Sequence, residues 1–488
     1  AKTPRTVISS AGCKDKDAVT LLLFYHYIEP PWTQKEFNAA KQFCEKSGNT
    51  HSITGRMRVA YEGLNCTLTG KQSSIRQWIS ELCEFSETFY DTEFKLTDDL
   101  PPGQRFPKLH VFKVDEIVNY GLSGSKAPPI VKTGVHLEPS EYHAKMNEKD
   151  TVIIDVRNYY ESAIGHFSPP EGGAQLIDPK MRKSTEFPVW LDKESTKESL
   201  KGKQVLMYCT GGVRCERASA LLRDKIDKED DMKALGIKGV YQLQGGIDKY
   251  FREFPEGGNW AGKNYVFDKR FSHVPDKVQK EDILGNCEAC NKPWDKYRGK
   301  RRCPTCGVPS LICKDCFDKD AKGIQKLGKE IRCKLCVEQN ITSKTQIKNR
   351  EQLYLKQYQD KMKLSQQSHH SEINKHSLNQ NTLKTHTPNP QNITRLFIKN
   401  MHKTNMDEAT LCQTLPGITH IQWLTDRKTG HFYGSAFVEL ATPDHAAQAV
   451  AKDGVKVFGR PIKIKFQKPD EKDVWPPFNT AVTSHVES

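Results

Sequence analysis

Cys209 stands between a short apolar run, KQVLMY, and a Gly-Gly turn, in the stretch YCTGGVRCERASALL. A sulfur at the end of a buried strand, with a helix starting just past the turn, faces backbone N–H groups. Those of Thr210, Gly211, Gly212 and Val213 are placed to fold around it, and the helix N-terminus adds partial positive charge. Arg214 adds a full charge. Each effect favours the thiolate, the nucleophilic form of cysteine. The glycines supply positive φ angles and leave out the Cβ atoms that a tight cradle cannot hold. Cys215, one turn into the helix, is placed either to resolve a modified Cys209 as a disulfide or simply to pack.

Eight further cysteines form four C-x-x-C pairs: Cys287/Cys290, Cys303/Cys306, Cys313/Cys316 and Cys333/Cys336. One such turn presents two thiolates to a tetrahedral metal and two turns complete a four-cysteine site, so the set predicts two structural zinc ions. Sequential pairing and an interleaved cross-brace both have acceptable spacing. The pattern belongs to a reducing compartment rather than to a disulfide scaffold.

A third set lies near the C-terminus. LFIKNM and YGSAFVEL alternate so that Phe397 and Phe437 share one sheet face, where bases stack, and Lys399, Lys463 and Lys465 reach phosphates.

The elements that must position these residues follow from the hydrophobic pattern. Residues 19–125 read as βαββαβ, a ferredoxin-like domain: TLLLFYHYI as a strand, PPWTQKEFNAAKQFCEKSG as a helix, RMRVAYEG and LNCTLTG as strands joined through Gly63, SSIRQWISELCEF as a helix and KLHVFKVDEIV as the last strand. Residues 134–260 alternate strands (TVIIDVR, VLMYC, GVYQLQGG) with helices, which predicts an α/β domain with a parallel sheet. Within it, LDKESTKESLKGK and DKIDKEDDMK read as charged excursions. The cysteine-rich zinc module occupies 261–340, a polar linker 341–392 that opens with a charged, helix-like stretch, a second βαββαβ unit 393–470, and an unpatterned tail 471–488. The chain is thus expected to be multidomain, α/β and α+β.

Charge is focused on two of these segments. Cys287 to Cys336 holds 13 Lys+Arg against 6 Asp+Glu, and Thr394 to Lys468 holds 11 against 6, together most of the formal net charge of +14. Such focusing points to a polyanionic partner, nucleic acid being the commonest. No apolar run approaches the roughly 18 residues a membrane span needs, and no signal-peptide pattern is seen. An intracellular, cytoplasmic protein without membrane association is expected, an organelle remaining open.

CTGGVRCERASA, with IIDVRNYYESAIGHF before it and LQGGIDKY after it, resembles the rhodanese domain of the tRNA uridine hydroxylase family and its eukaryotic relatives. The similarity runs from AYEGLNCTLTG and RFPKLHVFKVDEIVNYG through NYVFDKRF into the cysteine pairs, about residues 19 to 336. It implies that Cys209 is the position that carries a persulfide in rhodaneses. Asp155 and Arg157 fall in the DVR motif, followed by Glu161 and by His166 in GHF, and are expected to support the loop; Asp155 reads as a structural hydrogen-bond acceptor rather than a base. The spacing is Cys-x4-Arg and position 215 is Cys, which excludes the related phosphatase loop. The C-terminal unit resembles an RNA recognition motif, with Ser435 and Tyr433 departing from the usual aromatic and basic residues. The function these resemblances imply is RNA-directed: hydroxylation of a tRNA wobble uridine at C5. Sulfur transfer from a small thiosulfate-like donor, and a non-catalytic RNA-binding scaffold, are the alternatives. No organic cofactor motif is present.

Overall fold

The computed structural model describes residues 2–268, 270–275, 278, 283–299, 301–318, 331–354, 356, 389, 392–426 and 432–468. The chain divides into two compact units, 1–366 and 367–488.

In the first unit, the N-terminal domain is a six-stranded sheet in the order Thr6–Ser10, Phe94–Leu100, Val19–Tyr27, Gly63–Gly70, Thr54–Ala60, Leu109–Lys113. Its four central strands have the ferredoxin-like order. The helices Gln34–Thr50 and Gln72–Phe85 bury Phe37, Cys44, Trp78 and Leu82 against one sheet face, together with Leu22, Phe24 and Leu96. The longer helix starts with a capping box between Thr33 and Glu36. The last strand of the βαββαβ unit is Phe94–Leu100, not KLHVFKVDEIV. That later run supplies only the short edge strand Leu109–Lys113, parallel to Thr54–Ala60. The sequence FKLTDDL conceals a strand because Lys95 and Asp98 are charged yet buried, each held by polar partners: Asp98 takes hydrogen bonds from Thr20 and Arg76.

The next domain is a five-stranded parallel sheet, ordered Gln175–Ile177, Thr151–Asp155, Gln204–Tyr208, Gly239–Leu243, Val135–Leu137. Thr151–Asp155 is buried along its whole length, as a strand covered on both faces must be. Helix Val213–Lys228 follows Gln204–Tyr208 and packs Cys215, Ala218, Leu221 and Leu222 against it. The charged excursions are helical in part: Glu194–Leu200 buries Thr196, Lys197 and Leu200, and Asp230–Lys233 buries Met232. The cysteine-rich module joins the same unit through a cluster in which Tyr160 and Ile164 pack with Tyr297, Val308, Leu335 and Cys336. Residues 344–354 are helical, and Glu351 there pairs with Lys183 at 2.6 Å. Most of the expected linker and the whole tail lie outside the described residues.

The second unit carries a four-stranded antiparallel sheet, ordered Ile418–Thr425, Phe432–Leu440, Arg395–Lys399, Lys463–Phe466, with helices Glu408–Thr414 and Pro443–Ala451 on one face. Among the described residues no helix is long and apolar enough to cross a membrane.

Candidate active site and metal centres

Cys209 sits where Gln204–Tyr208 ends, and Gly212, at φ 99°, caps the helix that follows. The Gly212 N–H donates to Cys209 Sγ at 3.2 Å. Backbone N–H groups of Arg214 and Cys215 and the Cys215 thiol add further hydrogen bonds to the sulfur. Burial alone would raise this thiol. These donors and the Arg214 charge outweigh it and bring Cys209 down to about 5. Cys215 moves the opposite way: burial and the neighbouring Cys209 sulfur push it well above its ordinary value, so it is a neutral donor.

The other loop residues make contacts of their own. Thr210 Oγ1 accepts from Arg214 at 3.3 Å, and the carbonyls of Gly211 and Val213 accept from Lys95 and Tyr27. Donors on the sulfur also come from the helix start, where the chain turns immediately beyond Gly211. Arg214 is buried and bidentate to Glu161, at 2.6 and 2.8 Å. Asp155 and Arg157 form a second buried pair, at 2.9 and 2.6 Å. Tyr208 donates to Asp155 at 2.7 Å, and Arg157 also donates to the carbonyl of Gly165 at 2.7 Å. Asp155 thus spends its oxygens on holding adjacent chain segments together.

A cavity of about 780 Å³ opens on Cys209, and much of its wall comes from the N-terminal domain. That wall is the sheet face opposite the helices. It presents Tyr25, Tyr27, Arg56, Arg58 and Lys95. Tyr25 donates to Glu216 at 2.9 Å, and its hydroxyl leaves no room for a Cβ at Gly212. Glu216 also accepts from Thr133, His136 and Gln242. Burial would raise its carboxyl, but His136 and these hydrogen bonds hold it below its ordinary value. Lys95 Nζ donates to the carbonyls of Gly211 at 2.8 Å and Gly245 at 2.6 Å, with Glu93 at 3.7 Å. Gly246 lies so close to the Cys209 loop that a Cβ would fall 2.6 Å from the Cys209 carbonyl oxygen. Among the described residues Arg58 has no ion-pair partner, and Arg56 beside it lowers its pKa further after burial. Sequence reasoning missed Tyr25, Lys95, Arg58 and Glu216. The signal available was the alternation of Tyr25 and Tyr27 on one face of TLLLFYHYI.

The eight cysteines gather into two clusters, Cys287/Cys290/Cys313/Cys316 and Cys303/Cys306/Cys333/Cys336, with the sulfurs of each within 4.8 Å of one another. The pairing is the interleaved one. Around a tetrahedral ion with Zn–S near 2.3 Å, sulfurs lie about 3.8 Å apart. Cys290 and Cys313 are separated by 3.8 Å and Cys306 and Cys333 by 3.6 Å, so both clusters fit such an ion. The Cys313 N–H donates to Cys287 at 3.2 Å, and Arg182 donates to Cys336 at 3.6 Å, supporting bound thiolates.

On the C-terminal sheet, Phe397 and Phe437 lie directly opposite each other with ring centroids 5.0 Å apart. Lys465 is opposite Phe397, and Lys463 opposite Lys399, all three lysines exposed. Arg395 lies under Phe437, 4.2 Å from its centroid. Tyr433 points outward and donates to Asp426 at 2.8 Å.

Family profiles match four segments: the UPF0176 acylphosphatase like domain over residues 19–117, the rhodanese-like domain over 138–253, the rhodanase C-terminal segment over 261–339 and the RNA recognition motif over 396–463. The rhodanese-like domain-containing protein 6 of Arabidopsis thaliana is 34% identical over 338 residues; the match covers 66% of this chain and 53% of that relative. The tRNA uridine(34) hydroxylase of Bacillus licheniformis is 35% identical, covering 58% of this chain and 80% of the relative. That of Pseudarthrobacter chlorophenolicus is 32% identical, covering 61% and 93%.

Proposed function

Because this chain belongs to the tRNA uridine(34) hydroxylase family, we propose that it hydroxylates uridine 34 of tRNA at C5, with Cys209 as the reacting thiolate. The observation that carries this reading is the placement of Cys209. Its sulfur is surrounded by the Gly212 N–H, the Cys215 thiol and the Arg214 charge, and it borders a cavity of about 780 Å³. Such a volume accepts a nucleotide turned out of the anticodon stack. Arg58, on the cavity wall and without an ion-pair partner among the described residues, is suited to a phosphate of that nucleotide.

The net change replaces the C5 hydrogen by a hydroxyl, a two-electron oxidation of the base. With dioxygen as oxidant, the second oxygen atom leaves as water, and the two electrons and two protons it needs come from two external thiols, which are oxidised to a disulfide.

In this reading residues 19–125 form the wall of the site, 134–260 carry its thiolate, and 261–340 hold two structural zinc ions. The zinc would act by fixing the fold of that module. The sheet of residues 393–470 binds RNA by stacking on Phe397 and Phe437, with Lys399, Lys463 and Lys465 on phosphates. Tethering to the catalytic unit raises the effective concentration of tRNA.

Mass spectrometry of tRNA nucleosides tests the proposal, using cells lacking the protein and complemented with wild type or Cys209→Ser. Loss of 5-hydroxyuridine-derived nucleosides, restored only by wild type, is expected. An unchanged profile would overturn it and leave sulfur transfer through a Cys209 persulfide as the leading reading.

A further inference from the structure

One peptide unit joins Gly211 to Gly212, and its two ends face opposite charges. Its N–H, on Gly212, points at the Cys209 sulfur from 3.2 Å. Its carbonyl, on Gly211, accepts from the Lys95 ammonium at 2.8 Å. In a trans peptide these two groups are antiparallel, so fixing one fixes the other. We propose that Lys95, contributed by the N-terminal domain, is a positioning residue for the Cys209 thiolate, acting through the Gly211–Gly212 peptide. This rests on Cys209 being the reactive thiolate, and it does not depend on which substrate that thiolate meets.

Three features favour a specific role over general cohesion. The Lys95 side chain is only 6% exposed, so its charge sits where water does not screen it. Two of its three protons go to the carbonyls of Gly211 and Gly245, and the Glu93 carboxylate lies 3.7 Å away as a counter-charge. The second carbonyl also belongs to the site. Gly245 precedes the segment in which the Ile247 and Asp248 N–H groups donate to the carbonyls of Cys209 and Thr210, at 3.1 and 3.2 Å. One ammonium therefore clasps the two loops that fix both sides of Cys209. A cation on the carbonyl end withdraws electron density through the amide and strengthens the N–H as a donor, in the sense of hydrogen-bond cooperativity.

A neutral residue at 95 leaves the Gly211 carbonyl without its cation and frees the peptide to rotate away from the sulfur. A buried lysine that merely packs predicts a different outcome, in which substitution lowers stability while the thiol titrates as before.

The test is the pH dependence of iodoacetamide labelling at Cys209 in the full chain, read from the tryptic peptide that contains it. Lys95→Met is expected to move the labelling midpoint to higher pH. A shift of one unit should roughly halve the rate near pH 6 and lower it about tenfold near pH 4, and rates should converge with wild type above about pH 8. Lys95→Arg, which keeps a cation on the carbonyls, should restore much of the wild-type midpoint. Lys95→Gln replaces Lys95→Met if the latter does not melt cooperatively. An unchanged midpoint in a folded neutral variant overturns the proposal. So does a midpoint that Lys95→Arg shifts as far as the neutral variant does. Because labelling uses no tRNA, the result stands apart from whether uridine hydroxylation is the reaction.

Discussion

Glu161 grips Arg214 with both carboxylate oxygens, at 2.6 and 2.8 Å, in a pair almost wholly shielded from water. The arginine thereby keeps one fixed position beside the Cys209 loop, and neither charge is left alone in the interior. Glu161→Ala removes one partner and leaves the other buried without a counterion. The expected cost is about 3–5 kcal/mol of stability, measured by urea denaturation, with most of the proposed hydroxylation activity lost alongside it.

The acidity of Cys209 sets a pH window. Burial would raise this thiol, but the hydrogen bonds of Cys215 and the loop backbone, together with Arg214, bring it to about 5. Labelling of Cys209 should therefore rise to a plateau by about pH 6 and stay flat to pH 8, whereas an unfolded cysteine titrates near 8.5. Between those two values the unfolded chain binds the extra proton. The contribution of this group to stability is thus complete above the unfolded value and is lost as pH falls towards 5. A midpoint near 8.5 in the native protein would refute the arrangement.

Cys215 separates two roles by its substitutions. As a neutral donor to the Cys209 sulfur, it is replaceable by another donor. Cys215→Ser should then retain activity within a few-fold, and Cys215→Ala should lose roughly tenfold or more as the thiolate loses a hydrogen bond to a charged group. A resolving thiol would make both variants equally inactive, which turnover assays distinguish directly.

The two cysteine clusters stand at unequal distances from the chemistry. Cys336 accepts from Arg182, and Cys333 and Cys336 pack in the same cluster as Tyr160, on the short helix Tyr159–Ser162 that carries Glu161. Cys336→Ser should therefore reduce activity more than Cys316→Ser, although each should lower bound zinc from two equivalents to one. Metal analysis of the purified variants beside their turnover checks this.

On the C-terminal sheet, Phe397→Ala or Phe437→Ala should weaken single-stranded RNA binding by about 1–3 kcal/mol per stacked base. Fluorescence anisotropy with the full chain measures it. Cys209 alkylation should be unchanged, since neither ring belongs to the catalytic unit.

The parts legible in the sequence were those where residue type and local spacing decide the outcome. TVIIDVR could be little other than a buried strand, and the C-x-x-C pairs announced metal chemistry by spacing alone. What escaped depended on contacts between residues far apart in the chain. Lys95 and Asp98 gave FKLTDDL a polar look, and only their buried partners explain why it is a central strand. Lys95 meets Gly211 across 116 positions and Tyr25 meets Glu216 across 191, distances over which no periodicity carries information. The choice between sequential and interleaved cysteine pairing was likewise geometric, since both satisfy the same spacing.

The interleaving also bears on how the chain is made. During synthesis Cys303 and Cys306 emerge before Cys313 and Cys316, so the first complete set of four thiolates to leave the ribosome is Cys287, Cys290, Cys303 and Cys306. None of the finished clusters has that composition. A metal captured at that moment is held by a mismatched quartet, and half of its ligands must later be exchanged. A module loaded that early would mature by ligand exchange, and metal saturation during synthesis should slow its folding.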